Sequence, residues 1–226
     1  MTNSLLHKKI LITAGPTYER IDPVRFIGNY STGKMGFALA EECAERGAEV
    51  VLIAGVTSLS VSHPNIRRID VESAVEMYDA AVQEFSDTDI AILAAAVADY
   101  RPLLSANEKI KRQEGENLTI TLVPNPDIAA SLGQMKNSHQ LLVGFALETD
   151  NEEANAMKKL ANKNLDFIVL NSLKDSGAGF GHDTNKISIL FANGEKKPFD
   201  LKSKKEVAKD IVDVIEQKIN PGFCNR

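Results

Sequence analysis

The sequence predicts an α/β fold of three layers: a doubly wound, mostly parallel sheet with helices on both faces and a C-terminal β-hairpin. Three observations predict it. Apolar runs of strand length alternate with segments of helical periodicity. The runs are continuously apolar, as strands buried on both faces must be. Near the C-terminus an Asn-Gly pair separates two short strand-like segments.

The first run, "KKILITAG" (8–15), is rich in β-branched residues and ends at glycine, so it predicts a buried strand. "KMGFALAEECAERG" (34–47) sets Met35, Leu39 and Cys43 on one helical face, with Gly47 as its stop. "AEVVLIAG" (48–55) predicts a second buried strand. Ala74, Met77, Tyr78, Ala81, Val82 and Phe85 follow at helical spacing. "DIAILAAAVAD" (89–99) predicts a third strand that ends in small residues. This β-α-β-α-β run is the first half of a doubly wound sheet.

"LTITLV" (118–123) alternates like a strand, and "NPDIAASLGQM" (125–135) starts a helix with Asn125 as cap and Pro126 in the first turn. "QLLVGFALE" (140–148) and "DFIVLN" (166–171) predict two more buried strands around a helix at 151–163. "KISILFANGEKKPFDL" (186–201) predicts a hairpin turned by Asn193-Gly194 in type I′ geometry. "SKKE" (203–206) is a capping box, followed by Val207, Ile211, Val214 and Ile215 on one helical face.

At 226 residues, 43% hydrophobic and 25% charged, the chain predicts one domain over 1–226, with flexible tails at 1–7 and 220–226. No linker, repeat or low-complexity run divides it. No apolar stretch approaches the ~20 residues of a membrane span, and no secretory core opens the chain. Two cysteines, Cys43 and Cys224, are no disulfide framework, so a cytoplasmic location is expected. A net charge of −5 argues against general nucleic-acid binding, so an anionic ligand needs a local basic cluster.

"GNYSTGKMG" (28–36) spells a Walker A loop through Lys34, but Met35 stands where a magnesium-binding hydroxyl is required. The 16–32 connection is also about three times a usual β-α loop of 2–6 residues. The Walker reading is therefore rejected. The helix start keeps its own value: Ser31 or Thr32 can cap it, and Gly33 and Gly36 admit a ligand to free N–H groups. An ordinary capped helix fits the same residues.

Three further segments stand out. "AAAVADYRP" (94–102) has room for a ligand at the strand end, or alanines packed on a helix, with Asp99 as a polar group there. "ANEKIKRQEGEN" (106–117) is a mobile charged loop by composition, either a solvated surface or a flap over phosphate charge. Lys159 and Lys163 share one helical face, which is ordinarily a solvent face. No triad and no zinc site emerge: Cys43 suits the core, and His7, His63, His139 and His182 are scattered.

Taken together, "ITAGPTYERIDPVRFIGNYSTGKMG", "AAAVADYRP", "EKIKR", "NPDI", "VGFALET" and "NKISIL", in that order, resemble the phosphopantothenoylcysteine synthetase domain of coenzyme A biosynthesis. The resemblance covers nearly the whole chain. It implies a modified Rossmann-like fold and a CTP-dependent ligase. The 4′-phosphopantothenate carboxylate attacks the α-phosphate to give an acyl-cytidylate. The amine of L-cysteine then takes the acyl group. Mg2+ assists the first step, through groups the sequence does not identify.

By the same resemblance, Asn29 holds the acyl-cytidylate and Lys109 is the flap lysine of turnover. Ser31, Thr32 and Gly33 form the phosphate-binding turn. Ala94, Ala95 and Ala96 line the nucleotide and the intermediate, and Asp99 contacts the nucleotide. Pro126, Asp127, Ile128 and Ala129 are a helix start against CTP, Phe145 a wall near the base, and Lys159 and Lys163 contacts to the triphosphate. The family's flap often carries lysine where this chain has Arg112, which keeps charge and alters geometry.

The resemblance also implies a homodimer, with the 22–29 loop and the 187–200 hairpin as interface elements. It further implies fusion to, or association with, a flavin-dependent phosphopantothenoylcysteine decarboxylase, the chain being either a domain of a bifunctional protein or a free-standing enzyme. Two rivals share the fold class: a nicotinamide-dependent oxidoreductase and a non-catalytic nucleotide-binding module. Against the first, no G-x-G-x-x-G follows the first strand, and the second strand ends at Gly55 without an acidic residue.

Overall fold

The central sheet is built outward from one strand, β1 (Lys9–Ala14). A computed structural model describes residues 4–112, 115, 117–148, 150–172 and 182–220. After β1 come β2 (Tyr18–Arg20), β3 (Phe26–Gly28), α1 (Lys34–Glu45), β4 (Glu49–Ala54), β5 (Ile66–Asp70) and α2 (Ala74–Phe85). The middle of the chain forms β6 (Ile90–Leu93), β7 (Tyr100–Pro102), β8 (Leu122–Pro124), α3 (Ile128–Met135), β9 (Leu141–Glu148), α4 (Glu152–Asn162) and β10 (Phe167–Ser172). The last elements are β11 (Thr184–Asn185), β12 (Ile187–Phe191), β13 (Lys196–Pro198), β14 (Lys202–Ser203) and α5 (Lys204–Ile219).

Among the described residues the main sheet has eight strands in the order β13-β12-β10-β9-β6-β1-β4-β5. Every pairing from β10 to β5 is parallel, and β12 and β13 close one edge as an antiparallel hairpin. The chain leaves β1 toward β4 and returns to β6 on its other side. The β1–β6 boundary is therefore the point where strand order reverses, and a crevice opens there at the carboxyl ends.

Alternation along the strands fills two cores. Ile10 and Ile12 face α1 and α5, with Leu39, Cys43, Val207 and Ile211. Leu11 faces the opposite layer, with Met77 of α2, Leu132 of α3 and Leu160 of α4. This is the predicted three-layer arrangement. Burial pushes the Cys43 thiol up to about 12, which makes it a core residue and a poor nucleophile at neutral pH. Cys224 lies outside the described residues. Among those residues, no helix is long and apolar enough to cross a membrane.

Several local expectations are corrected. The helix at 128–135 is capped by Asp127, whose carboxylate accepts the Ala130 N–H, and not by Asn125. Asn125 instead donates to the Ala98 carbonyl. The hairpin turn is not type I′. Only Gly194 has positive φ, at 85°, and its N–H donates to Phe191 O, which describes a type I turn followed by a glycine bulge. The strand expected over 118–123 is reduced to Leu122–Pro124, pairs with β7 outside the main sheet, and has Leu118 and Leu122 exposed. The third strand ends at Leu93, and residues beyond it run alongside 13–17 without regular pairing. The capping box of Ser203 and Glu206 is present as expected.

The N-terminal segment was expected to be a loose tail over 1–7. Residues 4–7 instead form a turn, in which Leu5 is fully buried and donates its N–H to Arg46 O at 3.1 Å. Residues 221–226 lie outside the described residues. Truncating Leu5 to alanine should cost about 2–5 kcal/mol of stability, as for other large-to-small core changes. A urea titration checks this, and an unchanged midpoint would place the segment outside the core.

Candidate active site

The connection after β1 folds back on the sheet edge because its glycines leave no side chains in the way. A Cβ on Gly36 would lie 2.5 Å from the Ala14 Cβ, and one on Gly33 would lie 3.2 Å from the Gly15 Cα. The start of α1 therefore sits directly over the end of β1. Gly33 occupies the cap position in left-handed geometry, with φ 82°, and no side chain caps the helix. The expected capping by Ser31 or Thr32 does not occur: Ser31 Oγ accepts the Gly33 N–H at 3.3 Å, and Thr32 O accepts the Thr57 hydroxyl. A helix start left bare of a side-chain cap favours an anion.

Two cavities open at this edge, with volumes of about 160 and 310 Å³. Together they reach the range of ~300–1,000 Å³ usual for small-molecule sites. The first lies between the α1 start (Ser31, Thr32, Gly33) and the Ala94–Ala96 segment, with Asn171 and Lys204 at its far side. The second holds Asp99, the α3 start from Pro126 to Ala129, Lys159 and Lys163. Ala95 and Phe145 line both, so the two chambers adjoin there.

The alanine segment is tied by its backbone. Ala96 N–H donates to Gly15 O at 2.9 Å, and Ala95 N–H donates to Thr13 Oγ1 at 3.3 Å. Asn29 is exposed and its Nδ2 donates to Ala96 O at 3.0 Å, which joins the long loop to the chamber boundary.

The lysines of the second chamber are not free. Lys159 pairs with Glu148 at 2.6 Å and Lys163 with Asp127 at 2.9 Å. Burial works to raise the Asp127 pKa, but the Ala130 N–H and the Lys163 ammonium outweigh it and hold the carboxyl below its usual range. In the first chamber Lys204 is buried, and its Nζ donates to His182 O at 2.6 Å. Burial, then the nearby charge of Lys34, lowers its pKa, while Asp183 opposes the shift.

The structure thus brings together every expected residue except two. Asn29 reaches the site through Ala96, and Lys109 is exposed and lines neither chamber. Asn171, Asn185, Lys204 and Glu148 went unrecognised in the sequence. Asn171 carries a usable signal, since it is a polar residue at the carboxyl end of a buried strand. Its Oδ1 is buried without a hydrogen-bond partner, which suits a donor from a ligand. Among the described residues, no group of three or more His, Cys, Asp or Glu could hold a metal ion.

Asp127 gives a pH-dependent test. Its folded-state pKa is depressed, so its stabilisation is present above the ordinary carboxylate pKa and is lost as pH falls through the lower folded value. Asp127→Ala should cost about 0.5–2 kcal/mol at pH 7, the usual worth of a helix cap. The gap from wild type should begin to narrow below about pH 4 and go on narrowing as pH falls through the lower folded-state value. Denaturant midpoints at pH 7 and pH 3 check both parts.

The family model described as DNA/pantothenate metabolism flavoprotein C-terminal domain matches residues 5–219. A protein named Cysteine/Cysteine sulfinic acid decarboxylase, from an unidentified prokaryote, is 58% identical over 91% of this chain and 57% of its own length. The Coenzyme A biosynthesis bifunctional protein CoaBC of Bacillus subtilis is 47% identical over 92% of this chain and 51% of its own length. The chain thus spans about half the length of the curated relatives it matches. The crystal structure of the C-terminal domain of a Coenzyme A biosynthesis bifunctional protein CoaBC superposes with a TM-score of 0.81 at 41% identity, covering 97% of this chain and 100% of that one. The chain belongs to the DNA/pantothenate metabolism flavoprotein C-terminal domain family.

Proposed function

We propose that the chain is a phosphopantothenate–cysteine ligase that uses CTP. The observation that carries this reading is the pair of adjoining chambers at the point where strand order reverses, one under a bare helix start and one with two lysines. The close likeness to the CoaBC C-terminal domain supports it.

In this reading CTP occupies the second chamber, against Asp99, Pro126–Ala129, Phe145, Lys159 and Lys163. Its phosphates extend toward Ser31, Thr32 and Gly33, and phosphopantothenate lies along Ala94–Ala96 with its carboxylate near Asn29. A carboxylate oxygen attacks the α-phosphorus, the α–β phosphoanhydride bond breaks, and pyrophosphate leaves. The amine of cysteine, having lost a proton, attacks the acyl carbon and CMP leaves. Two anions must meet in the first step, so backbone donors and ammonium groups offset their repulsion. The enzyme needs no nucleophile of its own, because the substrate carries one. Asp99 and Asp127 are the carboxylates of that chamber that would hold a magnesium ion brought by the nucleotide, and the ion would supply charge neutralisation when bound.

Lys159 and Lys163 are held by Glu148 and Asp127 before any ligand arrives. Incoming phosphate exchanges one anionic partner for another, so the lysines need little reorganisation. Dimerisation belongs to the same proposal. Val24 and Phe26 on the 22–29 loop, and Tyr30 just after it, are exposed, Tyr30 by 93%, which suits an interface between two copies. The decarboxylase name of one relative is assigned here to the part of that longer protein outside the match.

The direct test is pyrophosphate release with each nucleoside triphosphate, phosphopantothenate and cysteine, varied one at a time. Release should require phosphopantothenate and be fastest with CTP; nucleotide binding without release would leave a non-catalytic module. Asn29→Asp should fold normally and accumulate acyl-cytidylate. Lys109→Gln should lower turnover with little change in melting temperature. Wild-type turnover in both variants would remove those two assignments.

A further inference from the structure

Asp22 lies outside both chambers, and its side chain has no solvent exposure. An enclosed carboxylate is costly unless donors meet its oxygens. Here they do. Oδ1 accepts the N–H groups of Val24 at 2.8 Å and Arg25 at 2.9 Å, which is an ordinary local turn. Oδ2 is used differently. It accepts from the Arg25 guanidinium, through Nε at 3.0 Å, and from the N–H of Ile110 at 3.2 Å. Arg25 then donates through Nη2 to the Ile110 carbonyl at 3.0 Å. Both backbone groups of one flap residue are thus taken by one ion pair.

A turn at 22–25 has no need of a contact 88 residues away. A second tie runs in parallel, from Ala106 N–H to Ile21 O at 2.9 Å. Composition marks 106–117 as a mobile loop, yet Ala106 and Ile110 are fastened to the same loop that leads, four residues beyond Arg25, to Asn29. Lys109 is the neighbour of the fastened residue. The Arg25 guanidinium, opposed by burial and assisted by the three N–H donors, holds the Asp22 carboxyl far below the usual carboxylate range, so the charge persists at every pH where the enzyme would work.

We propose that Asp22 is a positioning residue: acting through Arg25 and the backbone of Ile110, it sets where Lys109 stands relative to the loop that carries Asn29. This rests on the reading that Lys109 takes part in turnover. The latch fixes the root of the flap and leaves the Lys109 side chain, which is exposed, free to swing toward bound phosphate.

Asp22→Asn separates the two uses of the carboxylate. The amide oxygen still serves the local turn, while the NH2 that replaces Oδ2 accepts from neither Ile110 nor Arg25. Amide hydrogen exchange at Ile110 should become at least about tenfold faster, as a lost protecting bond requires. The kcat should fall roughly 10- to 100-fold, the scale of a misplaced catalytic group. The KM for CTP should stay within about twofold, because an interaction made only in the transition state is lost. Combined with Lys109→Gln, the loss should not multiply, since both changes remove the same contribution. Ile110→Pro, which deletes the N–H donor and leaves the turn intact, should reproduce the kcat effect if the asparagine variant folds poorly.

Unchanged exchange at Ile110 would overturn the latch whatever Lys109 does. Faster exchange with wild-type kcat, or fully multiplicative losses in the double variant, would overturn the positioning role. Wild-type turnover in Lys109→Gln alone would instead overturn the reading of Lys109, and the positioning role with it.

Discussion

The site depends on one steric constraint: the backbone after β1 must lie against the backbone of the sheet with no side chain between them. Gly36 meets Ala14, Gly33 meets Gly15, and a Cβ on Gly55 would lie 2.1 Å from the Pro16 carbonyl oxygen. Left-handed geometry at Gly15 and Gly33 turns the chain within that space. Were α1 pushed outward by even a methyl group, its bare N-terminus would leave the sheet edge and the first chamber would lose its floor. The same closeness lets Ala94–Ala96 hydrogen-bond along 13–17 and receive the Asn29 amide. Position thus comes from small residues and backbone bonds, and the polar side chains are placed on that frame.

Electrostatics then act on a prepared geometry. A chain with a net charge of −5 gathers Lys34, Lys159, Lys163 and Lys204 at two adjoining chambers. Lys34, Lys159 and Lys163 have the carboxylate partners Asp183, Glu148 and Asp127, which keep the ammonium groups in place before a ligand binds. The arrangement suits a reaction that must hold two negatively charged partners within bonding distance and supplies no covalent chemistry of its own.

Much of this was legible in the sequence, for physical reasons that differ by element. β1, β4, β9 and β10 are buried on both faces, so continuous apolar runs announce them. β5 escaped because it is an edge strand whose "IRRID" carries two arginines. The β2–β3 and β7–β8 ribbons have three residues per strand, too few for a period to show. "LTITLV" alternates cleanly, but Leu118 and Leu122 face solvent, so its alternation reflects no buried face. Asn125 and Asp127 both look like caps, and only the need of Ala98 for a donor decides between them. Asp99 was readable because the segment that leaves β6 at Leu93 carries it into the crevice. Asn185 and Lys204 were not, because they meet Asn171 and the α1 start only through long-range packing.

The central claim is that a nucleotide and an acid meet where the two chambers adjoin. A crystal structure with a non-hydrolysable CTP analogue and 4′-phosphopantothenate tests it most directly. The account predicts the α-phosphorus and the carboxylate beside Ala95, with the triphosphate within reach of Lys159 and Lys163. A nucleotide bound elsewhere, or an acid that never approaches the Ala94–Ala96 segment, would contradict it.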